Sequence, residues 1–289
     1  MKDRMTAIAL TLIMAPVIVL LNFIAYYLLI PKKYRRFYDG FGHAEKLNHF
    51  FSYNVLPYFL VVSLVYILVN LQGVIVEYLE IAPYYKLAEF IFSMEGNTVS
   101  SFQTIMSPAL TYFSAFIYLF GFSFLLIFTF VVLVCTGKVP VLQEYSIAVV
   151  LAYMIAFPFY ILTPVRVTGY TLPTVVPLLY ELNPVISEGL RSVDPYLDNC
   201  FPSLHAALSI IAMLLIVFRT DLKELKVVVV ILALLIQFTI FYLGIHWIID
   251  FIGGTLLAGL CYFVATRYRE KIVQKVAMIC NPRKEKMMK

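Results

Sequence analysis

Seven apolar runs, separated by more polar loops, constrain the fold of this chain more than any other feature. Crossing a bilayer core of about 30 Å takes roughly 20 apolar residues in a helix, because backbone polar groups in lipid must pair within their own segment. Hydrophobic residues make up 62% of the 289 residues, against roughly 45–50% in soluble domains. The sequence therefore predicts an all-α, polytopic membrane protein with about seven transmembrane helices, at about residues 7–30, 53–72, 107–136, 144–163, 203–218, 225–243 and 247–266.

Charged residues between these runs predict how the chain is oriented. Lys and Arg concentrate in loops 31–52, 137–143 and 219–224 and in the tail from Arg267, whereas loop 73–106 holds four Glu against one Lys. Short cytoplasmic loops carry an excess of Lys and Arg. We therefore expect a cytoplasmic C-terminus, with loops 73–106 and 164–202 on the outer face. The N-terminus is the exception to this charge rule, because Lys2 and Arg4 would lie outside. The orientation of the other six spans does not depend on the first span.

The positive net charge and the cysteine spacing argue against a nucleic-acid-binding site and against a cysteine-based metal or redox site. The net charge of +5 comes mainly from the cytoplasmic loops and tail, so it indicates topology and contact with anionic lipid rather than nucleic-acid binding. The four cysteines, at 135, 200, 261 and 280, have no metal-ligand or redox spacing. Segment 73–106 is either an amphipathic stretch lying on the outer surface or an ordinary connecting loop.

The stretch CFPSLHAALS, residues 200–209, places polar residues where the fifth apolar run begins. Pro202 and Ser203 are typical of a helix start: the Ser203 hydroxyl can cap the helix, and the free amides of the first turn can bind an anion. His205 then projects from the outer end of this span. This arrangement suits a phosphate group.

A second polar cluster, YLGIHWIIDFIGG, occupies residues 242–254 at the start of the last span. His246 and Asp250 are four residues apart and share one face of a helix. The carboxylate can hold one imidazole nitrogen as N–H and leave the other free as a nucleophile or base. An ionisable residue in a span costs about 2.5–3.5 kcal/mol on insertion scales, which favours a functional role for Asp250.

The third cluster, ILTPVRVTGY, holds Arg166 at the outer end of the fourth span. This arginine can extend its charge to the membrane surface or fork onto phosphate oxygens. All three clusters fall on the same face of the topology that the loop charges predict. The sequence therefore predicts one outer polar site assembled from distant segments.

FPSLH and HWIID, with its HxxxD spacing, resemble the second and third signature motifs of the type 2 phosphatidic acid phosphatase (PAP2) superfamily, over roughly residues 144–266. Leu204, where many members have glycine, resembles the branch of the inositol phosphorylceramide synthases, which are inositolphosphotransferases. The resemblance implies a six-helix PAP2-like core preceded by one N-terminal helix. It divides the chain into an N-terminal transmembrane region (1–140), a catalytic region (141–270) and a basic cytoplasmic tail (271–289).

The resemblance also implies a role for each polar residue. His246 would attack phosphorus to form a phosphohistidine, Asp250 would orient it, and His205 would protonate the leaving alcohol. Arg166 would match the arginine of the first motif, and Ser203 with its adjacent amides would cradle the phosphate. No metal and no other cofactor is required. Further candidates for substrate binding lie in loop 164–202, where a solvated loop is the alternative interpretation: Arg191, Asp198 and Asn199.

Three positions depart from the motifs. The first motif normally has a lysine seven residues before its arginine and a proline directly after it, where this chain has Phe159 and Val167. The third normally has an arginine six residues before its histidine, where this chain has Ile240. Two phosphate-binding cations are therefore missing. Either the substrate is a phosphodiester, which carries less charge than a monoester, or an outer-loop residue such as Arg191 compensates.

The sequence thus predicts an integral membrane lipid phosphatase or phosphotransferase. The substrate would be a phospholipid or an isoprenoid phosphate, and the acceptor water, a polyol or a lipid alcohol. A transporter or channel with an outer polar site is the alternative, since such proteins also hold His and Asp within a helical bundle, and a catalytically dead scaffold is another. The polar groups crowd one outer edge instead of following a path through the membrane, and this favours the enzyme.

Overall fold

The computed structural model describes residues 2–51, 55–78 and 86–280, and their regular structure is entirely helical, as predicted. Among these residues the only β pairing is an isolated bridge between Val165 and Asn199. The helices are α1 (Lys2–Leu29), α2 (Lys32–Asp39), α3 (His43–Phe50), α4 (Leu56–Tyr78), α5 (Lys86–Glu95), α6 (Pro108–Phe116), α7 (Phe122–Cys135), α8 (Val139–Leu162), α9 (Leu178–Glu181), α10 (Pro184–Arg191), α11 (Leu204–Arg219), α12 (Lys223–Tyr242) and α13 (Ile248–Cys280).

Five helical segments of the described chain are long and apolar enough to cross a membrane, so the protein is a multi-pass membrane protein. They are Leu12–Leu29, Pro108–Cys135, Val139–Leu162, Lys223–Tyr242 and Ile248–Val276. The other two predicted spans coincide with α4, whose described apolar stretch is Leu56–Val65, and with α11. Because α11 has 16 residues, it is about 24 Å long at about 1.5 Å per residue, short of a full crossing. The count of seven therefore stays a prediction.

Helix ends follow the signals in the sequence. The Ser203 side chain accepts a hydrogen bond from the Ala206 amide and caps α11, as the FPS motif indicates. At the other end of the site, α12 stops because Gly244 adopts a positive φ of 74°, a left-handed conformation that glycine reaches without strain. Each of these two signals places a helix end, the start of α11 or the end of α12, beside the polar clusters.

The third apolar run contains an irregular helical turn where it passes the polar clusters. Between α6 and α7, Ile117–Gly121 form a π-helical turn within the continuous segment Pro108–Cys135. One extra residue per turn rotates the following side chains relative to a regular α-helix. Such turns occur frequently at functional sites.

Helix α11 packs against α7, α8, α12 and α13 and is the centre of the bundle. Its first turn lies directly against α13, because the position of a Cβ built on Gly254 would be 2.4 Å from the Ser203 carbonyl oxygen and 3.0 Å from the Ala206 Cβ. The Ser203 amide also donates to the Asp250 carbonyl at 3.0 Å. This close approach brings the two polar motifs together.

A buried ion-pair cluster joins the same helices at the other end of α11. Glu144 of α8 is fully buried and accepts two hydrogen bonds from Arg219, at 3.0 and 2.7 Å. Nε of Arg269, on α13, lies 3.8 Å from the same carboxylate. Two guanidinium groups thus compensate a carboxylate that would be costly to bury alone. The helices are held together by a polar contact at each end of α11.

Replacing Gly254 by Ala should destabilise the protein, because the new methyl group meets backbone that cannot move independently. Overpacking of this kind costs typically about 1–3 kcal/mol. Gly259→Ala is the matched control on the same helix, since a Cβ there meets no atom within 4 Å, and alanine favours a helix by up to about 1 kcal/mol over glycine. Thermal unfolding in detergent micelles, followed by circular dichroism, compares the two. Equal stability would contradict the close packing of α11 on α13.

Candidate active site

A backbone strip, residues 165–169, which ends in a 3-10 turn that begins at Thr168, holds the three polar clusters together. On one side, the amides of Val165 and Val167 donate to the carbonyls of Asp198 and Leu197, at 2.8 and 3.0 Å. On the other side, the Gly169 amide donates to the Gly244 carbonyl at 2.8 Å. The segments carrying Arg166, the FPSLH motif and the HWIID motif are therefore adjacent, although they are far apart in sequence.

His246 and Asp250 form a buried hydrogen-bonded pair. Nδ1 of His246 lies 3.2 Å from Oδ2 of Asp250, and both side chains are almost fully buried. The same Oδ2 accepts a hydrogen bond from the Trp247 amide at 2.9 Å, which fixes the carboxylate against the first turn of α13. Because Nδ1 faces the carboxylate, Nε2 is the nitrogen with an available lone pair. Burial lowers the pKa of His246 to about 3, so the imidazole is neutral at pH 7.

His205 lies on the open side of this pair. Its Nδ1 is 3.5 Å from Nε2 of His246. The His205 ring stacks on Tyr118, with centroids 4.6 Å apart, and contacts Phe122 at 4.5 Å. Both aromatic residues come from the π-helical turn or directly follow it. The turn thus presents two aromatic rings that fix the orientation of the second histidine.

Both histidines open into one apolar cavity of about 610 Å³. Its walls come from α1, the π-helical turn, α7 to α11 and the loops between them, and they include four tyrosines, at 118, 153, 160 and 180. A cavity of this size lies in the range of small-ligand sites, which are mostly apolar with a few polar groups that orient the ligand. The polar groups here are concentrated around the two histidines. The arrangement suits a ligand with an apolar part and one reactive polar group.

No Lys or Arg is among the described residues that line the cavity. The Arg166 side chain is exposed, while its carbonyl accepts a hydrogen bond from the Trp247 indole at 2.9 Å. Arg191 is also exposed, and its guanidinium lies over the Tyr170 ring, 5.4 Å from the centroid. Phe159 and Ile240, which replace the two motif cations, do not line the cavity either. The described part of the chain therefore supplies no cation to the cavity wall in this conformation.

The other predicted substrate-binding residues lie around Asp194, an acid for which the sequence favoured an ordinary solvated loop. Asp194 lines the cavity, and its two oxygens accept hydrogen bonds from the amides of Asp198 and Asn199, at 3.3 and 3.1 Å. Burial raises the pKa of Asp194, although these amides oppose the shift. Asn199 lines the cavity, Asp198 is buried beside it, and Ser203 is fully buried as the cap of α11. Asp194 thus shapes the loop that leads into the FPSLH motif.

Three side chains at the base of the site offer ligand atoms that a metal ion could use. The residues are Cys200, His246 and Asp250, and each offers one ligand atom within 4.8 Å of the other two. Oδ1 of Asp250 is also buried without a hydrogen bond to the described residues. Burial raises the pKa of Cys200 well above its usual range, whereas a zinc ligand is a thiolate. The thiol donates to the Ile245 carbonyl at 3.5 Å. The spacing of the cysteines did not indicate this cluster, and the expectation of a metal-free site stays a prediction.

Comparison with known proteins bears on this geometry. Residues 146–274 match the family model of the PAP2 superfamily, and this segment contains all three polar clusters. A search of curated proteins and a search of solved structures each found no match. The superfamily comprises phosphatases and phosphotransferases, which favours the enzyme over the transporter or channel. The chain is therefore a membrane-embedded, helical enzyme in which residues 146–274 are similar to the phosphatases and phosphotransferases of the PAP2 superfamily.

Proposed function

We propose that this enzyme cleaves a lipid phosphoester through a phosphohistidine on His246 and transfers the phosphoryl-containing group to water or an alcohol. The observation that supports the proposal most directly is the position of His246. Asp250 holds its Nδ1, its Nε2 lies 3.5 Å from His205, and both histidines line an apolar cavity. This is the arrangement expected of a nucleophile, its orienting group and an acid.

In the first step, the lone pair on Nε2 of His246 attacks phosphorus and forms a P–N bond. The bond from phosphorus to the leaving oxygen breaks, and protonated His205 gives its proton to that oxygen. The negative phosphate favours the protonated form of His205 as the substrate arrives. Phosphorus must take the place of the resting contact between the two rings, so substrate binding separates them. Asp250 stabilises the positive charge that develops on the His246 ring.

In the second step, an acceptor oxygen attacks phosphorus on the face from which the first product has left. Neutral His205 takes the acceptor proton, the P–N bond breaks, and its electrons return to Nε2 of His246. The same histidine thus acts first as acid and then as base. Water as acceptor makes the enzyme a phosphatase, and an alcohol makes it a phosphotransferase.

The charge of the cavity favours a phosphodiester as the substrate. A diester carries one negative charge where a monoester can carry two, and no cation lines the cavity among the described residues. Of the two explanations for the missing motif cations, the exposed position of Arg191 favours the diester. An inositolphosphotransferase-like reaction, which moves a phosphorylated polyol from a phospholipid to a lipid alcohol, fits this charge. An isoprenoid phosphate is the alternative substrate.

The remaining polar residues have supporting roles in this proposal. The first-turn amides of α11, capped by Ser203, bind the phosphate oxygens, and the exposed Arg166 side chain turns inward to contact them when the substrate binds. Asp198 and Asn199 shape the approach for the acceptor, and Arg191 lies at its entrance. The loop charges support an outer position for this end of the bundle and a cytoplasmic C-terminus.

Replacing His246 by Ala should abolish turnover, because the P–N bond can no longer form. Asp250→Asn should lower kcat by about 10²–10⁴, because an amide neither fixes the required tautomer nor stabilises the imidazolium. Product formation from a panel of lipid phosphoesters, measured by mass spectrometry, tests both variants. His43→Ala, at an exposed histidine of α3, is the control and should retain full activity. Residual turnover above about 1% in His246→Ala would exclude it as the nucleophile.

A phosphodiester lipid should have a kcat/KM at least about tenfold above that of the monoester with the same tails, because less charge is left without a cation. Phe159→Lys restores a cation at a motif position and should narrow this preference, while Phe159→Leu is the uncharged control. Competition between the two lipids in one vesicle preparation measures the ratio directly. Preference for the monoester in the parent enzyme would contradict the diester proposal.

A cysteine in place of Tyr196, which is 48% exposed, should react with a membrane-impermeant maleimide in intact cells. A cysteine in place of Lys223, which is exposed at the opposite end of the bundle, should react only after permeabilisation. Cys135 and Cys280 are first replaced by Ser, while Cys200 and Cys261 are buried. The reverse pattern would place the site in the cytoplasm without altering its chemistry.

A further inference from the structure

We propose that Glu95, at the end of α5, is a positioning residue for the catalytic pair His246 and Asp250. It lies outside the segment that matches the PAP2 family model. Its Oε1 accepts a hydrogen bond from the Ile248 amide at 3.1 Å, and its Oε2 accepts one from the Ile249 amide at 3.0 Å. These are the first two residues of α13. A helix start leaves such amides without partners in the helix, and here one carboxylate holds both.

The amide before them is also paired, by the catalytic aspartate itself. Oδ2 of Asp250 accepts from the Trp247 amide at 2.9 Å and lies 3.2 Å from Nδ1 of His246. The first turn of α13 is therefore fixed on one side by Glu95 and on the other by Asp250. A shift of this turn along its axis would move the carboxylate away from the imidazole. Glu95 thus controls the distance on which the nucleophile depends.

Helix α5 makes a second contact with the same turn. Phe92 lies three residues before Glu95, so the two side chains share one face of the helix. The Phe92 ring meets the Trp247 ring edge-on, with centroids 6.5 Å apart. Trp247 is the single tryptophan of the chain and is fully buried. Its indole in turn donates to the Arg166 carbonyl at 2.9 Å, so α5 is linked to the backbone strip that joins the polar clusters.

The segment after α5 is fixed to the site as well. The Gln103 side chain donates to the carbonyls of Val176 and Tyr242, at 2.8 and 2.9 Å, and accepts from the Val176 amide at 2.8 Å. Tyr242 ends α12, four residues before His246. The segment that contains Glu95 and Gln103 therefore hydrogen-bonds to the backbone before His246, at Tyr242, and after it, at the start of α13. The contact between Glu95 and α13 is one of several that attach this segment to the site.

This proposal rests on the proposed reaction, because it assigns Glu95 a role in holding His246 for attack. It also explains which helix start is available to the substrate. The leading amides of α13 are occupied by Glu95, so the phosphate must use those of α11. Glu95 acts through the position of other groups, and its removal should lower kcat while leaving substrate affinity unchanged.

Glu95→Ala should lower kcat by at least about tenfold, since misplacement of a catalytic group by about 1 Å can cost up to about 10² in rate. The KM of this variant should stay within about twofold of the parent value. The Trp247 emission should shift to longer wavelength as water reaches the ring. Glu95→Gln keeps one amide oxygen as acceptor and should restore kcat to within about threefold and the parent emission. Glu89→Ala, at an exposed residue of the same helix, is the control and should change neither property.

Parent kcat and emission in Glu95→Ala would overturn the proposal, as would a rise in KM alone, which would make Glu95 a substrate ligand. A lower melting temperature with unchanged kcat of the folded protein would reduce its role to stability and equally overturn it. Should Glu95→Ala not fold, Glu95→Asp, which keeps the charge but is too short to reach both amides, is expected to show the same loss of kcat. The emission measurement needs no substrate, so it tests the anchor even if the proposed reaction is wrong.

Discussion

Asp250 is the residue on which the geometry of the site depends most. Its carbonyl accepts from the Ser203 amide, and its carboxylate binds both the Trp247 amide and the His246 ring. One residue therefore couples the start of α11, which carries His205, to the start of α13. Because Gly254 lets the two helices approach to backbone contact, this coupling is rigid. The contact between α11 and α13 thus sets the distance between His205 and His246.

The distribution of charge gives this site its character. At one end of α11, Glu144 is compensated by Arg219 and Arg269, while the other end opens into an apolar cavity without a lysine or arginine among its described lining residues. In the proposed reaction, a substrate phosphate there depends on the two histidines, the first-turn amides of α11 and Arg166, whose side chain is exposed in this structure. Sites of this kind discriminate by total charge, which is the physical basis for proposing a diester. The aromatic rings around His205 exclude water and strengthen the remaining polar contacts.

Periodicity and end signals in the sequence were sufficient to predict much of this structure. The four-residue spacing correctly paired His246 with Asp250, but the expectation that both lie on one helical face was wrong, because α13 begins at Ile248 and His246 precedes it. The FPS motif correctly marked Ser203 as a helix cap. The contacts of His205 with Tyr118 and Phe122 were not predictable, because they depend on a π-helical turn without a sequence signature. Glu95 was counted only as a loop charge, since its partners are more than 150 residues away and are backbone amides. The outward direction of the Arg166 side chain likewise depends on tertiary packing.

The central claim is that His246 becomes covalently phosphorylated during turnover. The direct measurement is rapid quenching of the enzyme with substrate into alkali, where phosphohistidine persists, followed by mass spectrometry of the peptide that contains residues 242–254. We predict a phosphoryl-containing adduct on His246 that forms within one turnover and disappears when the acceptor is added. In the His205→Ala variant, supplied with a substrate that has a good leaving group, this adduct should accumulate. Catalytic turnover without any adduct on this peptide, under quenching fast enough to capture one turnover, would contradict the account.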